Sequence, residues 1–103
     1  MAEYILQILR SQLMVVFSWG FNSPTSLPYD KGLAFRVDAF KFQGEVKVIY
    51  NDGADLFEVH LSNGHIEEDV YADCLVDVID GLVERTDNYE ERVKKEYGLI
   101  NNR

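Results

Sequence analysis

The fold is decided by residues 33–67, which read LAFRVDAFKFQGEVKVIYNDGADLFEVHLSNGHIE. Runs rich in β-branched and aromatic residues alternate there with the dipeptides Gln43-Gly44, Asp52-Gly53 and Asn63-Gly64. Asp-Gly and Asn-Gly are strong hairpin signals, because a type I′ turn needs positive φ at both central residues. The pattern predicts an antiparallel meander of three strands at 33–42, 45–51 and 54–62, with a short fourth run at 65–67.

Two-residue turns would also set the register of this meander. Val48 would then face Ala39 on one neighbouring strand and Phe57 on the other, and Val46 would face Val59. All of these apolar residues fall on one face of the predicted sheet, which indicates the core side.

The flanking segments complete one α+β domain over residues 1–103, with a helix before the meander and two helices after it. Apolar residues recur at helical spacing in the first and second of these helices, and Asp87 with Glu90 resembles a capping box before the last helix. The predicted segments are a helix at 4–18 with its end at 14–21 open between helix and strand, a loop at 22–32, helices at 69–85 and 88–97, and a frayed tail at 99–103.

This element order resembles that of double-stranded RNA-binding domains over residues 4–85. Members of that family contact phosphates through basic residues at the start of their second helix, whereas this chain has Glu67-Glu68-Asp69 there. The departure removes that function, so the order alone assigns no family.

The overall charge restricts the partners. The chain carries 18 acidic and 10 basic side chains, a net charge of −8, and 11 of the acids lie in residues 67–103. Binding to nucleic-acid phosphates and to anionic membranes draws on Lys and Arg, so both are disfavoured. A single cysteine forms no internal disulfide, and no basic leader or long apolar run is present, which predicts a cytoplasmic protein.

An acidic row is the strongest candidate binding feature. Spacings of 4, 4, 3 and 4 place five carboxylates on one face of the helix predicted at 69–85. Such a row suits a basic protein surface, including one that normally holds nucleic acid, although a solvated helix face has the same pattern. The row consists of Asp69, Asp73, Asp77, Asp80 and Glu84.

Aromatic residues form the second candidate surface, because Phe40 and Phe42 fall on the outer face of the predicted sheet and need a cover. Trp19 from the N-terminal segment would join them as a partner-binding face. Alternatively, a bulge near 38–39 would return both phenylalanines to the core.

A weaker candidate is a row formed by Glu45, His60 and Glu67, with His65 nearby. It permits a surface ion-pair network or a small metal site or enzyme centred on His60, but no strict ligand motif is present. Cys74 is predicted to be a buried packing residue, because its setting is too acidic for a nucleophile.

No motif for catalysis or for a cofactor occurs, such as a phosphate-binding glycine loop, G-x-S-x-G, H-E-x-x-H or C-x-x-C. The sequence therefore favours a non-catalytic, cofactor-free interaction module, an adaptor or inhibitor, whose partner is a basic protein. The alternatives are the metal protein and a structural homodimer. The homodimer would pair through the open sheet face or through Tyr89, Val93, Tyr97 and Ile100 of the last helix.

Overall fold

The computed structural model describes residues 1–84. The predicted last helix at 88–97 and the tail at 99–103 lie outside this range. Within it the chain forms three α-helices, five strands and two short 3₁₀ turns. In chain order these are α1 (Ala2–Arg10), α2 (Leu13–Ser18), β1 (Asn22–Ser26), a 3₁₀ turn (Pro28–Asp30), β2 (Gly32–Asp38), β3 (Gln43–Asn51), β4 (Leu56–Leu61), β5 (Ile66–Val70), a 3₁₀ turn (Ala72–Cys74) and α3 (Leu75–Val83).

The strands form one antiparallel sheet in the order β1-β2-β3-β4-β5. The prediction of a mixed α+β fold with an antiparallel meander is confirmed, but the expected three to four strands are five. The additional strand, β1, lies in the segment 22–32 that was predicted to be a loop. It pairs with β2 only, so Pro24 occupies an edge strand, where a missing N–H is tolerated.

The turns between the strands are longer than predicted, so the predicted registers are wrong. Val37 faces Gly44 across β2 and β3, and Val48 faces Val59 across β3 and β4. These two registers differ from the predicted ones by an even number of residues. Because side chains alternate with a period of two, the predicted core face is nevertheless the face that is buried.

The reason for the first longer turn lies in Gly44, which sits inside β3 and not at a turn. A Cβ there would lie 2.6 Å from Ser62 Oγ and 3.0 Å from Phe42 Cζ. Glycine is therefore needed for close packing, and the chain reverses earlier, where the Ala39 N–H donates to the Phe42 carbonyl over 3.1 Å. This turn directs Phe42 inward.

The second longer turn is organised by Asn51. Its side-chain oxygen accepts a hydrogen bond from the Ala54 N–H at 3.3 Å, and its carbonyl accepts one from the Asp55 N–H at 2.8 Å. Asn commonly organises turns in this way. Asp55 then adopts a positive φ of 56°, the role that Gly53 was expected to fill.

The N-terminal segment is two helices and not one. Gln12 has φ −138° and ψ 58°, which interrupts the helical phase between α1 and α2. Ile5 and Leu9 of α1 and Val16 of α2 therefore point into the core, whereas Leu13 turns outward. The sequence left residues 14–21 open between helix and strand, and in the structure this segment is helical as far as Ser18.

The helix predicted at 69–85 starts later than residue 69. Glu67 and Val70 belong to β5 and face Val59 and Phe57 of β4, and α3 begins only at Leu75. Asp69 lies at the irregularity in this pairing and has a positive φ of 57°. The element order that resembled double-stranded RNA-binding domains therefore does not hold.

One core lies between the helices and the inner face of the sheet. α1 contacts both β2 and α3, and α2 contacts α3. Residues of every layer are fully or almost fully buried there, and they include Ile5, Leu9, Leu33, Phe35, Val46, Val48, Val59, Leu75 and Ile79. Within residues 1–84 no helix has the length and apolar character needed to cross a membrane.

Candidate functional site

The five predicted acidic residues lie on consecutive elements and not on one helix. Asp69 is in β5, Asp73 is in the following 3₁₀ turn, Asp77 and Asp80 are in α3, and Glu84 caps α3. The expected single-face row is therefore wrong, because β5 extends through residue 70. Asp69, Asp73 and Asp77 are exposed, whereas Asp80 and Glu84 are half-buried.

Asp80 has a structural contact. Its Oδ1 accepts a hydrogen bond from Trp19 Nε1 over 3.0 Å, which joins α3 to the end of α2. A partner that took up Asp80 would have to compete with this bond.

Basic side chains are scarce in the part of the sequence that carries the exposed acids. Residues 48–84 contain ten acidic side chains and neither Lys nor Arg. Asp52 of this stretch pairs with Lys31 at 3.6 Å. Among the described residues, no lysine or arginine forms an ion pair with Asp69, Asp73 or Asp77. These three carboxylates therefore present their charge to solvent.

Cys74 lies among these carboxylates and is exposed, so its predicted burial is wrong. It belongs to the 3₁₀ turn before α3, and so does not share the inward phase of that helix. Desolvation raises the pKa of the Cys74 thiol. The charge of Asp73, a hydrogen bond between Asp73 and the thiol, and the charge of Asp77 raise this pKa further. This thiol is therefore held in its neutral form more strongly than an ordinary cysteine.

The predicted aromatic face is mostly core. Trp19 is 0% exposed and stacks on Phe35, with ring centroids 6.5 Å apart and planes at 11°. Phe42 is 8% exposed, whereas Phe40, at the outside of the turn, is 66% exposed. Of the three predicted partner-binding aromatics, only Phe40 is accessible without rearrangement.

The histidines form two separate pairs on the sheet. His60 Nε2 lies 2.9 Å from Glu58 Oε1, and His65 Nε2 lies 3.0 Å from Glu67 Oε1. His60 faces Lys47 and not Glu45, because the register is shifted. The predicted row is therefore not formed, and residues 1–84 contain no group of three or more His, Cys, Asp or Glu that could hold a metal ion.

α2 exposes an apolar surface that the sequence pattern did not predict. Leu13, Met14 and Phe17 point away from the core, and Phe17 is 66% exposed. The break at Gln12 is the cause, since it rotates this short helix relative to α1.

A groove that no sequence pattern predicted lies beside the exposed acids. Its volume is about 440 Å³. Tyr4 comes from α1, Tyr50 from the end of β3, Asp55 from the next turn, and Tyr71 and Asp73 from the segment after β5. No local signal in the sequence relates these residues, because four elements bring them together.

The floor of the groove is well ordered by packing. The buried ring of Phe57 lies 6.3 Å from the Tyr4 ring, nearly parallel to it, and 5.5 Å from the Tyr50 ring. The Tyr50 hydroxyl donates a hydrogen bond to the Asp55 carboxylate. That bond is the main reason why the pKa of Tyr50 is raised, and the charges of Asp55 and Asp52 contribute to the rise.

Comparison with family models, with curated proteins and with solved structures finds no match to this chain. The candidate function therefore rests on the geometry and charge of the described residues.

Proposed function

We propose that this protein is a non-catalytic, cytoplasmic interaction module that binds a basic surface of another protein. The observation that carries the proposal is the stretch 48–84, with ten acidic side chains and no Lys or Arg. Asp69, Asp73 and Asp77 of that stretch are exposed and lie on neighbouring elements. They would form the centre of the acidic binding surface.

Physical reasoning favours binding over solubility alone. Like charges placed close together destabilise a fold by a few tenths of a kcal/mol per pair, on the order of 0.2–0.5 kcal/mol in helices. A basic partner would neutralise that repulsion on binding. Complementary charge also speeds encounter and orients the partner. An inhibitor that occupies a nucleic-acid groove is the narrower form of this proposal.

We expect neutralisation of the three exposed carboxylates to weaken partner binding. The variant is Asp69→Asn, Asp73→Asn and Asp77→Asn, and Asn suits the positive φ of residue 69. Exposed ion pairs contribute about 0.2–1 kcal/mol each, so capture should fall about tenfold. The measurement is recovery of partners from a native lysate at low and high salt, because screening weakens such contacts.

The matched control removes the same charge elsewhere through Glu3→Gln, Asp38→Asn and Glu45→Gln. These residues lie outside the stretch 48–84, so the control should keep the partner. Equal loss with both variants would mean that only net charge matters. Undiminished capture by the Asp69/Asp73/Asp77 variant would refute the acidic surface as the binding site.

A structural homodimer is the second candidate, favoured by the exposed apolar residues of α2. We expect the mass in sedimentation equilibrium to rise with concentration and Phe17→Ser to keep the protein monomeric, because the variant removes apolar area from the interface. Phe40→Ser is a matched control, since both phenylalanines are 66% exposed. A wild-type protein that stays monomeric at high concentration would eliminate this candidate.

A further inference from the structure

The groove beside the acidic surface combines aromatic rings with carboxylates. Tyr4, Tyr50 and Tyr71 contribute the rings, and Asp55 and Asp73 contribute the negative charge. Among the groove residues that the structure describes there is no lysine or arginine, and the amine of Met1, which also lines the groove, is paired with Asp30. Within residues 1–84, neither a lysine nor an arginine of the groove balances its two carboxylates.

The parts of the groove are held in place before any ligand arrives. Phe57 is buried and supports the Tyr4 and Tyr50 rings from below. The Tyr50 hydroxyl fixes the Asp55 carboxylate. Tyr71, which also lines the groove, is 61% exposed, so its ring is accessible to a ligand. A preorganised site loses less freedom on binding.

Charge and shape together select the ligand. Cations are attracted to the faces of tyrosine rings and to carboxylates. A guanidinium group is planar, stacks on aromatic rings and bonds to carboxylates through several N–H donors, whereas an ammonium group is compact and strongly hydrated. The volume of about 440 Å³ lies within the usual range of roughly 300–1,000 Å³ for ligand pockets.

We infer that this groove receives an arginine side chain of a basic protein segment, held by Tyr4, Tyr71 and Asp73. The inference rests on the proposed function, and it identifies the groove as the part of the binding surface that selects arginine. Asp73 belongs both to the groove and to the acidic surface, so one partner segment would reach both.

The test uses the full chain and a synthetic peptide of alternating glycine and arginine, with affinity measured by isothermal titration calorimetry at low salt. We expect Tyr71→Leu to raise Kd about fivefold, whereas Tyr71→Phe, which keeps the ring, should stay within about twofold of the wild type. Thermal unfolding of both variants checks that the fold is intact. A peptide with neutral citrulline in place of arginine should bind at least about tenfold more weakly than the arginine peptide.

The remaining comparisons separate this inference from the proposed function. Asp69→Asn with Asp77→Asn neutralises acids that do not line the groove. If this double variant weakens peptide binding and Tyr71→Leu does not, the groove is refuted while the acidic surface stands. Equal affinity for a lysine peptide would overturn the preference for guanidinium. Absence of arginine-peptide binding would also refute the groove, and the acidic surface would then be judged by capture of its own partner.

Discussion

The Trp19→Ala variant is expected to lose about 3–5 kcal/mol of unfolding free energy, the usual cost of removing a large buried aromatic ring. Trp19 is 0% exposed, stacks on Phe35 and donates a hydrogen bond to Asp80. The substitution leaves a cavity between α2, β2 and α3 and removes the indole N–H that donates to Asp80. Small domains are stable by only about 5–15 kcal/mol, so much of that margin would disappear.

Urea unfolding followed by far-ultraviolet circular dichroism measures this loss as a lower midpoint at an unchanged m-value. Phe40→Ala is the control, because Phe40 is exposed at the tip of the turn and its removal should change stability by no more than about 0.5 kcal/mol. If Trp19→Ala were as stable as Phe40→Ala, the tryptophan would not belong to the core, and the sequence-based assignment to a partner-binding face would regain support.

The hydrogen bond can be separated from the packing with a second substitution. Trp19→Phe keeps most of the ring volume but removes the indole N–H, so the Asp80 carboxylate loses that donor. A bond to a charged group typically contributes about 1.5–3 kcal/mol, and Trp19→Phe should therefore cost clearly less than Trp19→Ala. Equal losses would show that the phenyl ring adds no stability without the indole N–H.

The division between the two faces of the sheet could be predicted from the sequence. Val46, Val48 and Val59 are 0% exposed, as their alternation with polar residues indicated. A shift of register by an even number of residues leaves each side chain on the same face of the sheet. The predicted buried face was therefore correct, although the lengths of the β2–β3 and β3–β4 turns were wrong.

The turns and the start of α3 could not be predicted, because the same residue types serve two structural purposes. Gly44 permits close packing against Ser62 and Phe42, although a glycine after glutamine also looks like a turn. Glu67, Glu68 and Asp69 suit a helix N-terminus, but they equally suit an exposed edge strand, where charge discourages pairing with another chain. Only packing against β4 decides between these uses.

The candidate site was predictable in its charge and not in its shape. The excess of acids after residue 48 is visible in the sequence, and Asp69, Asp73 and Asp77 are exposed as expected. The groove is not visible there, because Tyr4 and Tyr71 are far apart in the sequence and line the same groove only in the folded chain. Sites of this kind arise from topology, for which local patterns carry no signal.

The same chemical change at two glycines is expected to shift stability in opposite directions. At Gly32, in β2, an added Cβ would lie 1.9 Å from the Val48 carbonyl oxygen. The hydrogen bonds on either side, from Tyr50 N–H to the Lys31 carbonyl and from Leu27 N–H to the Gly32 carbonyl, resist a shift of the strand. Gly32→Ala should therefore cost about 1–3 kcal/mol.

Gly81 is the matched case, because it lies inside α3 and an added Cβ would meet no described atom within 4 Å. Alanine is favoured over glycine in helix interiors by about 0.8–1.0 kcal/mol, so Gly81→Ala should raise the urea midpoint. If both variants were less stable than the wild type, α3 would need the conformational freedom of glycine at residue 81. If both were more stable, β2 and β3 would be able to separate and admit a methyl group at residue 32. A loss of stability at Gly32 together with a gain at Gly81 would show that the space around each glycine decides the effect of alanine. The backbone of β3 leaves no room for a methyl group at Gly32, whereas the described residues leave room for one at Gly81 in α3.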